Sequence, residues 1–325
     1  MGKEPMRIAV LTSGGDAPGM NAAVRAVVRT ALYKGLVPYG VERGYAGLIE
    51  GKIRELNASS VGGIINRGGT VLRTARSEEF KTPEGRRSAA DALRAHGIET
   101  LVVIGGDGSY RGAADLSNEH SDIRTIGLPG TIDNDIGGTD YTIGYDTAVN
   151  TAVEAIDKIR DTADSHDRVF VVEVMGRLKG FIALAVGISG GAEYVVIPTH
   201  KYDPLPIAKR IKDGYARGKK SCILVVAEGA ARGIAVAADI ADITGFETRT
   251  VVLGHVQRGG TPSAFDRILA SRLGARAVTA AIEGASKVMV GIRADEVVVV
   301  AIEEAWAEER AVDEELLELA AMLSI

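Results

Sequence analysis

Leu101-Val-Val-Ile104 runs directly into Gly105-Gly-Asp-Gly-Ser-Tyr110, and the join between these two pieces decides the fold. A short, continuously apolar run rich in β-branched residues fits a strand buried on both faces, as in a parallel sheet. Glycines at its end let backbone N–H groups approach an anion at a helix N-terminus. The same order recurs along the chain. Apolar runs at Ile8–Leu11, Val169–Val174, Tyr194–Ile197, Ile223–Val226, Val251–Leu253 and Val297–Val300 are interleaved with Ala-rich stretches of helical spacing. Those stretches are Met20–Tyr33, Ser88–His96, Asp146–Arg160 and Ile268–Ile282. Strand then helix, repeated, predicts an α/β fold with right-handed crossovers. Strand, Gly-rich turn and helix at Val10–Ala23 are echoed at Val172–Ala185, which predicts two similar lobes with the site in the cleft between them.

Composition agrees and excludes other classes. The chain has 325 residues, 46% of them apolar, so it can bury a large core and suits about two domains. Its 40 glycines show no three-residue period, which excludes collagen. They cluster after the apolar runs, at Gly14-Gly15, Gly105-Gly106-Gly108, Gly127 and Gly130, Gly176, Gly229, and Gly254 with Gly259-Gly260. Six such strand ends predict a phosphate-binding rim. A single Cys, Cys222, lies in an apolar run and reads as a core residue in a reducing compartment. The net charge of −5 gives no basic face for nucleic acid. From Ile302 onward, eight acidic residues against one Arg leave the body at −5 + 7 = +2. Ala305, Leu316, Leu317, Leu319 and Met322 predict an amphipathic helix in that tail. Met1–Met6 does not read as a signal peptide, Gly2 lacks a myristoylation context, and no stretch is long enough to span a bilayer. The expectation is a cytoplasmic protein that binds neither membrane nor nucleic acid.

The chemistry concentrates in two loops. No segment forms a Walker A loop, and Gly106-Asp-Gly108-Ser-Tyr-Arg111 fails the dinucleotide fingerprint. The Gly105–Ser109 amides could still cradle a polyphosphate. Asp107 would repel that polyphosphate unless Mg²⁺ stood between them. Pro129-Gly-Thr-Ile-Asp-Asn-Asp135 packs two carboxylates, an amide and a hydroxyl into one loop, anchored by Ile132. Asp133 there can orient an alcohol and accept its proton late in phosphoryl transfer. Arg76, Arg168, Arg177, Arg249 and Arg258 lie near strand ends or Gly-rich turns, where Arg grips phosphate oxygens. His255 has no second ligand at zinc spacing and suits a sugar hydroxyl or phosphate.

Six ordered segments resemble the bacterial-type ATP-dependent 6-phosphofructokinases. They are Leu11-Thr-Ser-Gly-Gly-Asp-Ala-Pro-Gly-Met-Asn-Ala-Ala23, Ile65-Asn-Arg-Gly-Gly-Thr70, Val103-Ile-Gly-Gly-Asp-Gly-Ser-Tyr110, Gly127-Leu-Pro-Gly-Thr-Ile-Asp-Asn-Asp135, Val172-Glu-Val-Met-Gly-Arg177 and Gly254-His-Val-Gln-Arg-Gly-Gly260. The resemblance implies that family's two Rossmann-like lobes, with residues 1–143 and 257–305 binding ATP and 144–256 and 306–325 binding fructose 6-phosphate. It implies that Gly15, Gly106, Gly108 and Ser109 hold ATP phosphates, that Tyr45, Arg76 and Ser77 flank the nucleotide, and that Asp107 serves Mg²⁺. Asp133 would be the base for the 1-hydroxyl, with Thr131, Ile132, Asp135 and Arg177 around it. Met175, Gly176, Arg177, Glu228, His255 and Arg258 would line the sugar phosphate. Arg168 and Arg249 would come from a neighbouring subunit of a homotetramer.

Pyrophosphate-using relatives carry Asp where this chain has Gly108 and Lys where it has Gly130, so both glycines favour ATP. Arg25, Arg29, Arg160, Glu193, Arg217, Lys219 and Lys220 match the family's effector site. Ala58, Gly63 and Ser221 depart from it, which implies an anion site with altered response. Arg73 stands where Gly is common. The readings set against ATP-dependent transfer are the pyrophosphate-dependent reaction, a lipid or NAD kinase sharing the GGDG turn, and a silent nucleotide-binding regulator. Retention of Asp107, Asp133 and the arginines argues against the last.

Overall fold

A computed structural model describes residues 4–165, 168–307 and 310–324. Gly2 of the N-terminal reading and Glu308 and Glu309 of the acidic tail lie outside the described residues. The chain divides into two compact units. One comprises Met1–Ile132, Ile136–Asp146 and Arg258–Arg310; the other comprises Asp133–Asp135, Thr147–Gln257 and Ala311–Ile325.

The first unit is built on a seven-stranded, mostly parallel sheet. Its strands are β1 (Arg7–Thr12), β2 (Val37–Val41), β3 (Ile53–Glu55), β4 (Thr100–Gly105) and β5 (Arg124–Pro129), with β10 (Val288–Arg293) and β11 (Glu296–Ala301) from late in the sequence. The order is β11-β10-β5-β4-β1-β2-β3. Its helices are α1 (Met20–Tyr33), α2 (Gly44–Ile49), α3 (Pro83–Ala95), α4 (Asp107–Glu119), α9 (Ala264–Ile282) and α10 (Glu304–Ala307). The second unit has a four-stranded, all-parallel sheet in the order β7-β8-β6-β9. Its strands are β6 (Val169–Val174), β7 (Tyr194–Val196), β8 (Cys222–Ala227) and β9 (Thr248–Val252). Its helices are α6 (Phe181–Ser189), α7 (Pro204–Ala216), α8 (Gly233–Thr244) and α11 (Glu314–Leu323), and α5 (Tyr145–Asp164) belongs to it from Thr147 onward.

The continuous apolar runs of β1, β4, β6 and β8 are buried along almost their whole length, as strands covered on both faces must be. The echo is structural too. α1 and α6 both start from a glycine N-cap in the left-handed region, Gly19 at φ +103° and Gly180 at +84°.

Three expectations need correction. Val251–Leu253 and Val297–Val300 read as fully buried strands, but β9 and β11 are half-exposed. Both are edge strands, and β11 pairs antiparallel with β10, so one side of each lacks a neighbour. Gly127 does not lie in a strand-end turn. It is the middle of β5, where a Cβ would stand 2.6 Å from the Tyr110 ring, so its glycine serves core packing. The acidic tail is not one helix but α10 and α11, and no residue of α11 is buried. Among the described residues no helix is long and apolar enough to cross a membrane.

Candidate functional site

In the first unit the carboxyl ends of β5, β4 and β1 lie side by side, so three turns emerge together. The Ser13 amide donates to Ile104 O at 2.9 Å, and the Gly130 amide donates to Gly105 O at 3.0 Å. These bonds stitch the Ser13–Asp16, Gly105–Ser109 and Pro129–Thr131 segments into one rim. Asp107 opens α4 with its side chain 40% exposed, where the helix dipole favours a negative group. A Cβ on Gly108 would meet nothing within 4 Å, so the protein itself leaves that face open. Gly130 differs. A Cβ there would stand 2.9 Å from Ile104 Cγ2 and 3.1 Å from Met20 Cε. Its glycine therefore also answers to packing, and a side chain there would make Ile104 and Met20 shift. Arg258 lies against the opposite side of the rim, since a Cβ on Gly15 would overlap its guanidinium. Its buried Nε has no hydrogen-bond partner among the described residues.

Beneath this rim is a support that sequence reading placed beside the nucleotide. Tyr45 is buried and stacked on Phe80, with ring centroids 3.8 Å apart, and its hydroxyl donates to Ser109 O at 2.6 Å. Burial pushes that phenol far above its ordinary pKa, so it stays a donor. Ser77 Oγ accepts from Phe80 N at 3.2 Å, and Arg76 is exposed. Arg73 has φ +59°, a left-handed conformation that disfavours side chains and explains why glycine is common there.

Asp133–Asp135 belong to the second unit by their contacts, as do the ends of β6 and β8. Ile132, the residue before this loop, is 2% exposed and is the last of its stretch in the first unit. Asp133 is 3% exposed. The guanidinium of Arg177 lies 3.8 Å from Asp133 Oδ2 and 3.8 Å from Asp135 Oδ2. Arg177 is held by its main chain: its N–H donates to Glu228 Oε1 at 3.1 Å, and its φ is +49°. Met175 is buried, and Gly176 has φ +129°. His255 is exposed. Sequence reading assigned no role to Gln257, yet it is fully buried. Its Oε1 accepts from Met175 N at 2.8 Å and its Nε2 donates to Ala148 O at 3.4 Å. A polar residue between His255 and Arg258 was the only available signal.

Arg168 and Arg249 do not join this group, and they are not beside Gly-rich turns. Arg168 precedes β6, and Arg249 lies in the first half of β9. Both pair with Glu247, Arg168 at 3.1 Å. Arg168 and Met175 flank the two ends of β6, about 23 Å apart at a strand's rise per residue.

Glu193, Arg217 and Lys219 line one cavity of the second unit with Arg210 and Cys222. Lys219 Nζ lies 2.8 Å from Glu193 Oε1. Arg160 donates to Gly190 O at 2.7 Å and Gly191 O at 2.8 Å, just before Glu193. Lys220 is exposed nearby in sequence, while Arg25 and Arg29 lie on α1 of the first unit. Burial and the adjacent Glu193 carboxylate push the Cys222 thiol far up, so it is no nucleophile.

Among the described residues no three His, Cys, Asp or Glu side chains gather to hold a metal. Asp107, one accessible carboxylate at an open rim, fits a magnesium ion that arrives on phosphate oxygens.

The chain matches the family described as Phosphofructokinase over residues 7–281. It is 56% identical over 319 residues to a protein of Halalkalibacterium halodurans named ATP-dependent 6-phosphofructokinase, covering 98% of this chain and 99% of that one. A protein of the same name from Clostridium botulinum is 55% identical over 317 residues, with the same coverage. The solved phosphofructokinase of Saccharomyces cerevisiae superimposes with a TM-score of 0.88 at 38% identity over 92% of this chain. The chain spans 45% of that longer yeast chain.

Proposed function

The chain belongs to the phosphofructokinase family, and on that premise we propose that it transfers the terminal phosphoryl group of ATP to the 1-hydroxyl of D-fructose 6-phosphate. The products are fructose 1,6-bisphosphate and ADP, and the reaction is the committed step of glycolysis. The observation that carries the reading is a buried aspartate, Asp133, with the Arg177 guanidinium set against it and against Asp135.

Phosphoryl transfer passes through a loose transition state, so positioning and charge matter more than base strength. Asp133 aims the 1-hydroxyl and takes its proton late. Arg177 keeps the Asp133–Asp135 pair from repelling the incoming phosphoryl oxygens. Thr131 and Ile132 fix the start of that loop. Gly15, Gly106, Gly108 and Ser109 present amides to the ATP phosphates, with Arg258 against Gly15, and Arg76 and Ser77 border the nucleotide. Tyr45 contributes from below, through the Ser109 carbonyl. Asp107 would hold Mg²⁺, which supplies charge neutralisation on the transferring phosphates when bound. Met175, Gly176, Glu228, His255 and Arg258 receive the sugar phosphate with Arg177.

The position of Arg168 and Arg249 supports their serving the sugar phosphate of a neighbouring copy in a homotetramer. We place the enzyme in the cytoplasm. Arg160, Glu193, Arg217, Lys219 and Lys220, with Arg25 and Arg29, would retain an anion site with altered effector response. Kinetics with and without ADP and phosphoenolpyruvate test that site, and strong control by both would overturn it.

The open face at Gly108 supports ATP over pyrophosphate, because an Asp side chain there would point at the inner phosphates. A coupled assay of fructose 6-phosphate with ATP–Mg²⁺ and with pyrophosphate–Mg²⁺ tests the reading. Turnover is expected with ATP, and turnover with pyrophosphate alone would overturn it.

A further inference from the structure

Asp107 already has a partner in its own helix. Arg111 stands one turn further along α4, and its Nε donates to Asp107 Oδ1 at 2.9 Å. The guanidinium carbon of Arg111 also lies 4.8 Å from the centre of the Trp306 ring. A planar guanidinium can stack on an aromatic face while its edge stays free to hydrogen-bond. Trp306 is a fixed platform. Its helix, α10, is tied by an Arg293–Glu304 ion pair at 2.7 Å, by the Gly137 amide donating to Ala305 O at 3.1 Å, and by burial of Ala305. One cation is thus shared between a carboxylate and a ring.

We infer that Arg111 is a positioning residue for the metal of the phosphoryl donor: it neutralises and aims Asp107 until a divalent ion arrives, then yields the carboxylate while Trp306 retains it. The inference rests on the proposed function, which makes Asp107 the metal-facing carboxylate. The side chains of Arg111 and Asp107 are 52% and 40% exposed, and an exposed pair at this helical spacing is weak. A divalent cation on the same carboxylate repels the guanidinium and displaces it. The ring does not compete for the metal. The released guanidinium therefore stays beside the rim, where phosphate oxygens arrive, instead of swinging into solvent.

Trp306 is the single tryptophan of the chain, so the exchange can be read in its emission. The experiment titrates ATP–Mg²⁺, and separately ATP with EDTA, into the full-length protein, Arg111→Met and Arg111→Lys, without sugar phosphate. Calorimetry reports binding and fluorescence reports Trp306. ATP–Mg²⁺ is expected to change the emission of the unaltered protein and metal-free ATP is not. Arg111→Met is expected to bind ATP–Mg²⁺ yet lose that change. Its Mg²⁺ requirement for half-maximal rate should fall about twofold with kcat nearly constant, and Arg111→Lys should restore the requirement. An undiminished emission change in Arg111→Met, or an unaltered Mg²⁺ requirement, overturns the inference. Absence of ATP–Mg²⁺ binding to the unaltered protein would instead overturn the proposed function.

Discussion

The main-chain amide of Arg177 donates to Glu228 Oε1 at 3.1 Å, and this bond ties down a residue whose φ is +49°. A left-handed arginine is conformationally costly and persists only where its surroundings fix it. Glu228 is thus a clamp on Arg177 as well as a residue proposed to meet the sugar. Glu228→Ala is expected to raise KM for fructose 6-phosphate about tenfold, the worth of one hydrogen bond to a charged group. Steady-state kinetics on the variant check it, and KM for ATP should stay near its original value.

Asp133 is nearly inaccessible, and the role proposed for it is confined to the acceptor hydroxyl. Asp133→Ser should lower kcat by about 10² to 10⁴, the usual contribution of a positioned acid–base group. Nucleotide affinity measured by calorimetry should hold. Near-normal turnover would remove Asp133 from its role.

Gly108 and Gly130 make different predictions, because one faces open space and the other is packed against Ile104 and Met20. Gly108→Asp should leave the melting temperature unchanged while abolishing most ATP-dependent turnover. Gly130→Lys should cost about 1–3 kcal/mol of stability through overpacking, before any effect on the donor. Thermal denaturation of the two variants, followed by assay with both donors, separates these outcomes.

Gln257 joins the Met175 amide to the Ala148 carbonyl with no exposed surface. Gln257→Leu keeps the bulk but takes the side-chain acceptor from the Met175 amide, while the Ala148 carbonyl keeps its bond within α5. The expected loss is about 1–3 kcal/mol in urea unfolding, with KM for the sugar phosphate rising more than KM for ATP. Equal rises in both KM values would count against a local role.

Arg73 is exposed, and its φ of +59° suits glycine. Arg73→Gly should stabilise the protein by up to about 1 kcal/mol. Relief of left-handed strain sets the sign, and the greater freedom of glycine in the unfolded chain offsets part of it. Chemical denaturation at neutral pH measures it.

Much of this architecture was legible in the sequence because its central strands are covered on both faces. β1, β4, β6 and β8 are unbroken apolar runs, and no helix pattern competes with them. β2 and β5 were not read. Each carries a Pro and a Gly within Val37–Val41 and Arg124–Pro129, residues that normally punctuate strands. The Gly127 that hid β5 makes room for Tyr110, a contact between distant segments that no local pattern reports. β10, interrupted by Gly291, is buried between β5 and β11, whereas β11 at the sheet edge is half-exposed although its run is apolar. The candidate loops around Asp107 and Asp133 were found through their composition. Gln257 and Trp306 carry little local signal because their partners lie many residues away, and Arg111 gains its meaning from the distant Trp306 ring as well as from Asp107 one turn back.

Glu247 binds both Arg168 and Arg249 at the end of the sheet remote from Met175. On the proposed shared arrangement, a defect in this trio is not suffered by the chain that carries it. It is exported to the next chain's reaction. A cell expressing two alleles, one damaged at Asp133 and one at Arg249, would then build mixed assemblies in which some reaction centres inherit only sound parts. Inheritance at this locus would follow the assembly and not the polypeptide.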